Sequence, residues 1–291
     1  MNEKFEKIFI EITNFCGLDC SFCTPKKQAK EIMSLENFDK IIQKISPYTS
    51  LCALHILGDP LSIKNLSPYL KIAQSHNLKL EITSSGFYLE DKIDLLLNSP
   101  CIHQINISLM SALYQSKTIN LEEYFQPILK LCNTHQQLKS EKFINLRLWN
   151  LDTNFNPPAL NTKIYNLLKQ NFLFQEISPL KIRLNYKIFL HQARMFEWAN
   201  VDSQNLHKKG FCYGGIKQLG ILCNGIVVPC CFDAKGAINL GNILEESLKE
   251  ILLKQRAKAL VQGFKNNNLV ELLCQSCNYP QYLASKPSCK N

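Results

Sequence analysis

The chain lacks any long hydrophobic run. No segment approaches the ~20 apolar residues that a membrane-crossing helix requires, so no membrane span is expected. Its start, MNEKFEKIFIEI, mixes acids with bases and has neither the apolar stretch nor the small-residue cleavage site of a secretory leader. Also missing is any run of basic residues interleaved with aromatics. The net charge of +9, from 33 Lys and Arg against 24 Asp and Glu, is scattered over segments that read as helix surfaces. A slightly basic solvated surface follows, compatible with an anionic substrate or an acidic protein partner, and a nucleic-acid partner is not expected. Charged residues are scarce at 20% against 46% hydrophobic, which excludes a disordered chain.

Cysteine, by contrast, is abundant, with 13 in 291 residues. Without a leader, a disulfide framework is not the expectation. Reduced thiols in a cytoplasm suit metal or catalytic use better, and a cytoplasmic location is expected. The length allows one large core and a smaller domain.

Three of the cysteines fall within eight residues, Cys16-Gly-Leu-Asp-Cys20-Ser-Phe-Cys23. This CxxxCxxC spacing supplies three thiolates, and an iron–sulfur cube held by three protein ligands keeps one iron open. A zinc site completed by a distant fourth cysteine, or a disulfide between two of the three, stays open at this point.

Strand-like runs recur along the first two thirds of the chain: Lys7–Thr13, Leu51–Leu57, Lys79–Ser84, His103–Leu109, Phe143–Trp149 and Lys181–Tyr186. Between them apolar residues repeat at helical spacing, as in Phe38, Ile41, Ile42 and Ile45, then Leu66, Tyr69, Leu70 and Ala73, then Leu89, Ile93, Leu96 and Leu97. Ser34 and Asn65 stand where helix caps belong. Alternation repeated six times implies parallel strands joined by right-handed crossovers, with chemistry at the carboxyl ends of the strands.

The three-cysteine loop begins at such a strand end and, with Phe22 before its last cysteine, resembles the radical S-adenosylmethionine (SAM) superfamily. Three further strand ends carry matches. Leu57-Gly58-Asp59-Pro60 is similar to the GGEP segment that holds the SAM ammonium, and Thr83-Ser84-Ser85-Gly86 stands in place of a Thr-Asn-Gly turn. Ser108 ends the fourth strand, where the family often places a serine for the SAM carboxylate or ribose. Leu57, Asp59 and Ser85 depart from the family's Gly, Glu and Asn. Arg147 sits within an apolar strand, too costly to bury unpaired, and is expected at the barrel mouth facing a carboxylate of SAM, substrate or protein.

Beyond Trp198 the pattern changes. Cys212 leads to two short apolar runs around Asn224-Gly225, a hairpin signal, then to Cys230 and Cys231, a helix near Ser247–Ala259, and Cys274-Gln-Ser-Cys277. This resembles the auxiliary-cluster extension called SPASM, or twitch when shortened. The two closely spaced cysteines that end a full SPASM domain are absent, and only Cys289 follows. Cys212, Cys230, Cys274 and Cys277 make one four-thiolate set. Cys230 is preferred to Cys231 by its spacing from Gly225, and zinc remains the alternative occupant. Cys52, Cys101 and Cys132 read as core residues, while Cys223 and Cys289 have no assigned role.

The resemblance implies an α/β fold: a partial (β/α)6 TIM-like barrel over residues 1–200, then a small twitch/SPASM-like α+β domain over 201–291. It implies a SAM-binding 4Fe–4S cluster on Cys16, Cys20 and Cys23, an auxiliary 4Fe–4S cluster, and SAM held by Phe22, Gly58, Asp59, Ser84, Ser108 and Arg147. The activity implied is reductive cleavage of SAM to a 5′-deoxyadenosyl radical that abstracts a substrate hydrogen. The partners implied are a reductant such as flavodoxin or ferredoxin and a peptide, protein or small-molecule substrate. The barrel starts within the first ten residues, so no peptide-binding extension precedes it, which weakens a peptide-maturase reading. The alternative from a different class is a non-catalytic electron-transfer or zinc-binding scaffold.

Overall fold

The computed structural model describes residues 4–24, 29–174, 180–195 and 197–284. In chain order the first elements are β1 (Lys7–Ile10), α1 (Leu35–Ile45), β2 (Leu51–Ala53), α2 (Ser67–Ser75), β3 (Lys79–Ser84), α3 (Ile93–Asn98), β4 (Ile102–Ser108) and α4 (Leu121–Gln137). Then follow β5 (Phe143–Leu151), α5 (Asn161–Asn171), β6 (Lys181–Asn185) and β7 (Ile188–Arg194). The last part holds β8 (Gln218–Ile221), β9 (Ile226–Val228), β10 (Gly241–Asn242), α6 (Leu248–Leu253), α7 (Gln255–Lys265), α8 (Leu272–Gln275) and α9 (Tyr279–Ala284).

All ten strands join one sheet in the order β10-β9-β8-β1-β2-β3-β4-β5-β7-β6. β1 to β5 and β7 are mutually parallel and form the six-stranded partial barrel, with helices covering its outer face. α1 shows why the sequence yields these layers. The Ser34 hydroxyl accepts the Asn37 N–H at 3.1 Å and caps its start, and Phe38, Ile41, Ile42 and Ile45 on one stripe are fully buried. Each such side chain contributes roughly 1.5–3 kcal/mol. α2 is capped at Leu66, one residue later than Asn65, because Pro68 fits only the first turn of a helix.

The sixth parallel strand is a correction to the sequence reading. Lys181–Asn185 is an antiparallel edge strand, and the run behind it, Ile188–Arg194, takes the parallel place beside β5. The turn between them passes through Lys187 at φ 53°, without the Asn-Gly or Gly step that marks a tight hairpin. β1 and β2 are also shorter than expected, since their chains leave the ladder early to form the loops above.

The carboxy-terminal segment continues the same sheet. β8 pairs parallel with β1, and the β8–β9 turn has Gly225 at φ 84°. The helix expected near Ser247–Ala259 is two, broken at Lys254, the first opened by a capping box between Ser247 and Glu250.

The barrel interior carries polar groups beside an apolar cluster of Phe9, Ala53 and Ile56. Lys7 on β1 bonds Glu81 on β3 at 2.5 Å across the lumen, and amides of Gln104, Asn106 and Asn145 link β4 to β5.

Candidate active site

The loops after β1, β2, β3 and β4 meet at one end of the barrel, tied by contacts that only certain residues permit. Gly58 lies against the main chain after β1. A Cβ there would stand 2.0 Å from the Thr13 carbonyl oxygen, so no side chain fits. The next residue, Asp59, donates its N–H to the Phe15 carbonyl at 2.9 Å. Its buried carboxylate faces the loop after β3. Oδ2 accepts from the Ser84 hydroxyl at 3.0 Å and from the Ser85 N–H and hydroxyl at 2.8 and 2.6 Å, and Oδ1 accepts from the Leu61 N–H at 3.0 Å. Burial raises the Asp59 pKa and these donors oppose it. The Asp59 and Ser84 side chains are thus engaged with each other. The Tyr124 hydroxyl fixes the Ser85 carbonyl at 2.7 Å.

Cys16, Cys20 and Cys23 are half-buried in the loop after β1. The Tyr88 hydroxyl donates to the Cys16 carbonyl at 3.0 Å, and it fills the space beside Gly17, whose φ is 73°. Phe22 packs edge-on against Tyr114 with ring centroids 5.6 Å apart, and Ser21 donates to the Tyr114 carbonyl at 2.9 Å. Gln115 and Ser116 follow, bonded to Cys20 and Asp19. The segment after β4 therefore braces the cysteine loop, a role with no motif to announce it.

Ser108 at the end of β4 and Arg147 on β5 are paired in register, as are Arg147 and His191 on β7. The Arg147 guanidinium lies over the Trp149 ring, 4.5 Å from its centroid. Burial pulls its pKa down to about 10, opposed by Glu81 and Cys231. Its Nε is buried with no hydrogen-bond partner, as are His55 Nδ1 and Trp149 Nε1. His55 is held neutral, its pKa lowered to about 3 by burial and then by Arg147 and Lys7. Orphaned buried groups of this kind are costly. His55 and Trp149 were legible by the criterion that singled out Arg147, a polar group within an apolar strand.

Glu11 joins the two parts of the chain. Its carboxylate accepts from the Leu57 N–H after β2 at 3.2 Å and from the Cys223 N–H at the β8–β9 turn at 3.4 Å. Burial raises its pKa from 4.5 to about 7 against those two bonds.

Cys212, Cys230, Cys274 and Cys277 line one small cavity with apolar neighbours. Cys231 points elsewhere, packing with the cluster of Phe9, Ala53, Ile56 and Val228. Burial, then the charges of Cys231, Cys212 and Cys274, push Cys230 well above the usual thiol range, and burial lifts Cys277 to about 11. Four such thiols cannot all ionise without a cationic core to compensate them, which fits the donor set to iron–sulfur binding. Among the described residues no three His, Cys, Asp or Glu side chains are placed to hold a single metal ion. A cube puts each thiolate on a different iron and tolerates a wider spacing than mononuclear zinc. Cys52 and Cys132 are fully buried and Cys101 nearly so, while the Cys223 thiol donates to the Glu11 carbonyl at 3.0 Å. Cys289 lies outside the described residues.

Between the ends of β5 and β7 and the segment after Cys277 opens a cavity of ≈ 660 Å³, lined among others by Trp149, His191, Arg194, Phe232, Tyr279 and Tyr282. Phe232 and Tyr279 also line the four-cysteine cavity. No helix among the described residues is long and apolar enough to cross a membrane.

A family model described as the radical SAM superfamily matches residues 10–144, and one described as the SPASM iron–sulfur cluster-binding domain matches residues 212–278. Among solved structures, BtrN in complex with AdoMet and 2-DOIA is similar with a TM-score of 0.63 at 14% identity, covering 96% of this chain and 94% of that one. Streptococcus suis SuiB bound to S-adenosylmethionine is similar with a TM-score of 0.59 at 14% identity, covering 98% and 75%. Histidine-tagged anSMEcpe with bound AdoMet gives 0.61 at 12% identity, covering 96% of each chain. SuiB is also known bound to the precursor peptide SuiA, and anSMEcpe with the Cp18Cys peptide. At these identities the likeness concerns the fold alone. The sequence has no match among curated proteins.

Proposed function

We propose that this chain, which belongs to the radical SAM superfamily and carries a SPASM iron–sulfur cluster-binding domain, oxidises or otherwise modifies a substrate held in the cavity beside its four-cysteine set. When bound, the open-iron cluster and SAM supply one electron and a 5′-deoxyadenosyl radical that abstracts a substrate hydrogen atom. The residues of this chain bind, orient and exclude water.

Cys16, Cys20 and Cys23 hold the SAM-binding 4Fe–4S cluster, and Cys212, Cys230, Cys274 and Cys277 the auxiliary 4Fe–4S cluster. The Gly58 main chain and Ser108 face SAM, with Phe22 closing one side. Asp59 and Ser84 act by joining the loops after β2 and β3. Arg147 offers its guanidinium to a carboxylate at the barrel mouth. The observation that carries the reading is the convergence of the loops after β2, β3 and β4 on the three-cysteine loop, with Gly58 fitted against Thr13, Tyr88 on Cys16 and Gln115 against Cys20.

Phe232 and Tyr279 separate the substrate cavity from the auxiliary site by a single layer of rings. That placement favours a net two-electron oxidation, in which the centre that Cys212, Cys230, Cys274 and Cys277 would hold could take up the second electron, the first leaving with the abstracted hydrogen atom and the proton passing to solvent or a base. A peptide, protein or small metabolite is the substrate; SuiB and anSMEcpe show peptides on this fold. A flavodoxin- or ferredoxin-type donor supplies the first electron, and thirteen cysteines suit a reducing cytoplasm.

Iron and sulfide analysis of anaerobically reconstituted protein, followed by an assay for 5′-deoxyadenosine with dithionite and SAM, tests the reading. About eight irons with deoxyadenosine formed is the expected result. Zinc in place of iron, or iron without SAM cleavage, would make the protein a scaffold or electron carrier.

A further inference from the structure

We propose that Gln115 tunes the reduction potential of the SAM-binding cluster by donating a hydrogen bond to the thiolate of Cys20. The inference rests on the reading above that Cys16, Cys20 and Cys23 hold an iron–sulfur core.

Gln115 follows the 3₁₀ turn Leu109–Ala112 at the end of β4, ninety-five residues from Cys20 in sequence. Its Nε2 donates to Cys20 Sγ at 2.9 Å and to the Ser111 carbonyl at 2.6 Å, while its Oε1 accepts the Asp19 N–H at 3.2 Å. The amide orientation is therefore fixed. Exchanging nitrogen and oxygen would set oxygen against the Ser111 carbonyl and NH₂ against the Asp19 N–H, so an N–H must face the sulfur. Ser116 reinforces the clamp, its N–H donating to Asp19 Oδ1 at 3.3 Å and its hydroxyl to Asp19 Oδ2. One glutamine thus secures both the Asp19 main chain and the sulfur of the central cysteine in the loop.

A donor on a ligating sulfur stabilises the more negative, reduced state of the core above the oxidised state, and so raises its potential. Gln115 is in these terms a positioning residue. It makes the cluster easier to reduce by a mild donor, at the cost of driving force for SAM cleavage.

The test is an EPR-monitored redox titration of anaerobically reconstituted wild type, Gln115→Leu and Gln115→Glu, with iron measured on the same samples. The signal followed is the one that changes when SAM is added, which separates this cluster from the auxiliary one. Gln115→Leu removes the donor and is expected to shift the midpoint to more negative potential. Gln115→Glu keeps the acceptor for the Asp19 N–H while facing the sulfur with a carboxylate, and is expected to shift it further. Unchanged midpoints in both variants overturn the proposal. So does loss of iron with an unchanged midpoint in the cluster that remains, because that is the mark of a purely structural brace. A wild type that assembles no SAM-responsive cluster overturns the underlying assignment instead, and does so before any variant is made.

Discussion

The carboxylate of Asp59 and the hydroxyl of Ser85 stand 2.6 Å apart, with the Ser85 N–H and the Ser84 hydroxyl on the same oxygen. Three donors on one buried oxygen make this pair the fastening between the loops after β2 and β3. Asp59→Ala leaves these donors unpaired and is expected to cost on the order of 3 kcal/mol of stability. Asp59→Glu reinstates the residue common in this family. Its extra methylene has no room against Ser85, so SAM affinity measured by calorimetry is expected to fall.

Gly58→Ala is a sharper test of the same loops. Its Cβ would meet the Thr13 carbonyl oxygen at 2.0 Å, and that oxygen belongs to main chain which cannot swing aside. A loss of about 3–5 kcal/mol in chemical denaturation is expected, together with loss of SAM binding.

Arg147→Leu is expected to separate stability from binding. The guanidinium is buried with its Nε unpartnered, so an apolar replacement should leave the cofactor-free protein as stable as wild type or more so. If Arg147 receives a carboxylate of SAM, affinity for SAM should fall about 10–100-fold, readable by calorimetry on the reconstituted protein.

The two neighbouring cysteines predict different iron contents. Cys230→Ala and Cys277→Ala should each lower iron by about four per chain, whereas Cys231→Ala, outside the four-cysteine cavity, should leave it unchanged.

Glu11 predicts a pH dependence. Its pKa is raised in the folded state from 4.5 to about 7, so the stabilisation is fully present below pH 4.5 and is lost as pH rises from there through 7. The span corresponds to at most about 3 kcal/mol. Denaturation midpoints of the wild type should fall between about pH 5 and pH 7, and Glu11→Gln should flatten that slope.

Much of this was legible in the chain. The four loops were found because each follows an apolar strand and carries residues of special geometry, as Gly58 does. α1 declared itself through Ser34 and the Phe38, Ile41, Ile42 and Ile45 stripe. The sixth parallel strand was missed because Lys187 makes its tight turn without glycine, so two strands looked like one. Gln115 was invisible for another reason. Its role depends on a partner far away in sequence, in a segment where no periodicity or motif operates. Asp59 was expected among the SAM contacts, and its fastening to Ser84 and Ser85 was not legible because that network exists only once β2 and β3 lie side by side.

The parallel pairing of β1 with β8 sets a timetable for the nascent chain. Lys7 finds Gln218 in register, so the strand feeding the first three cysteines has an open flank until more than two hundred further residues have left the ribosome. At ~5–20 residues per second that is roughly 10–40 s of exposure. A chain truncated after residue 200 would carry the bare edge permanently, and unpaired β-edges recruit one another. Such a fragment is expected to sediment as aggregate when the full chain does not, making the cluster-binding extension a built-in shield for the barrel as well as a metal carrier.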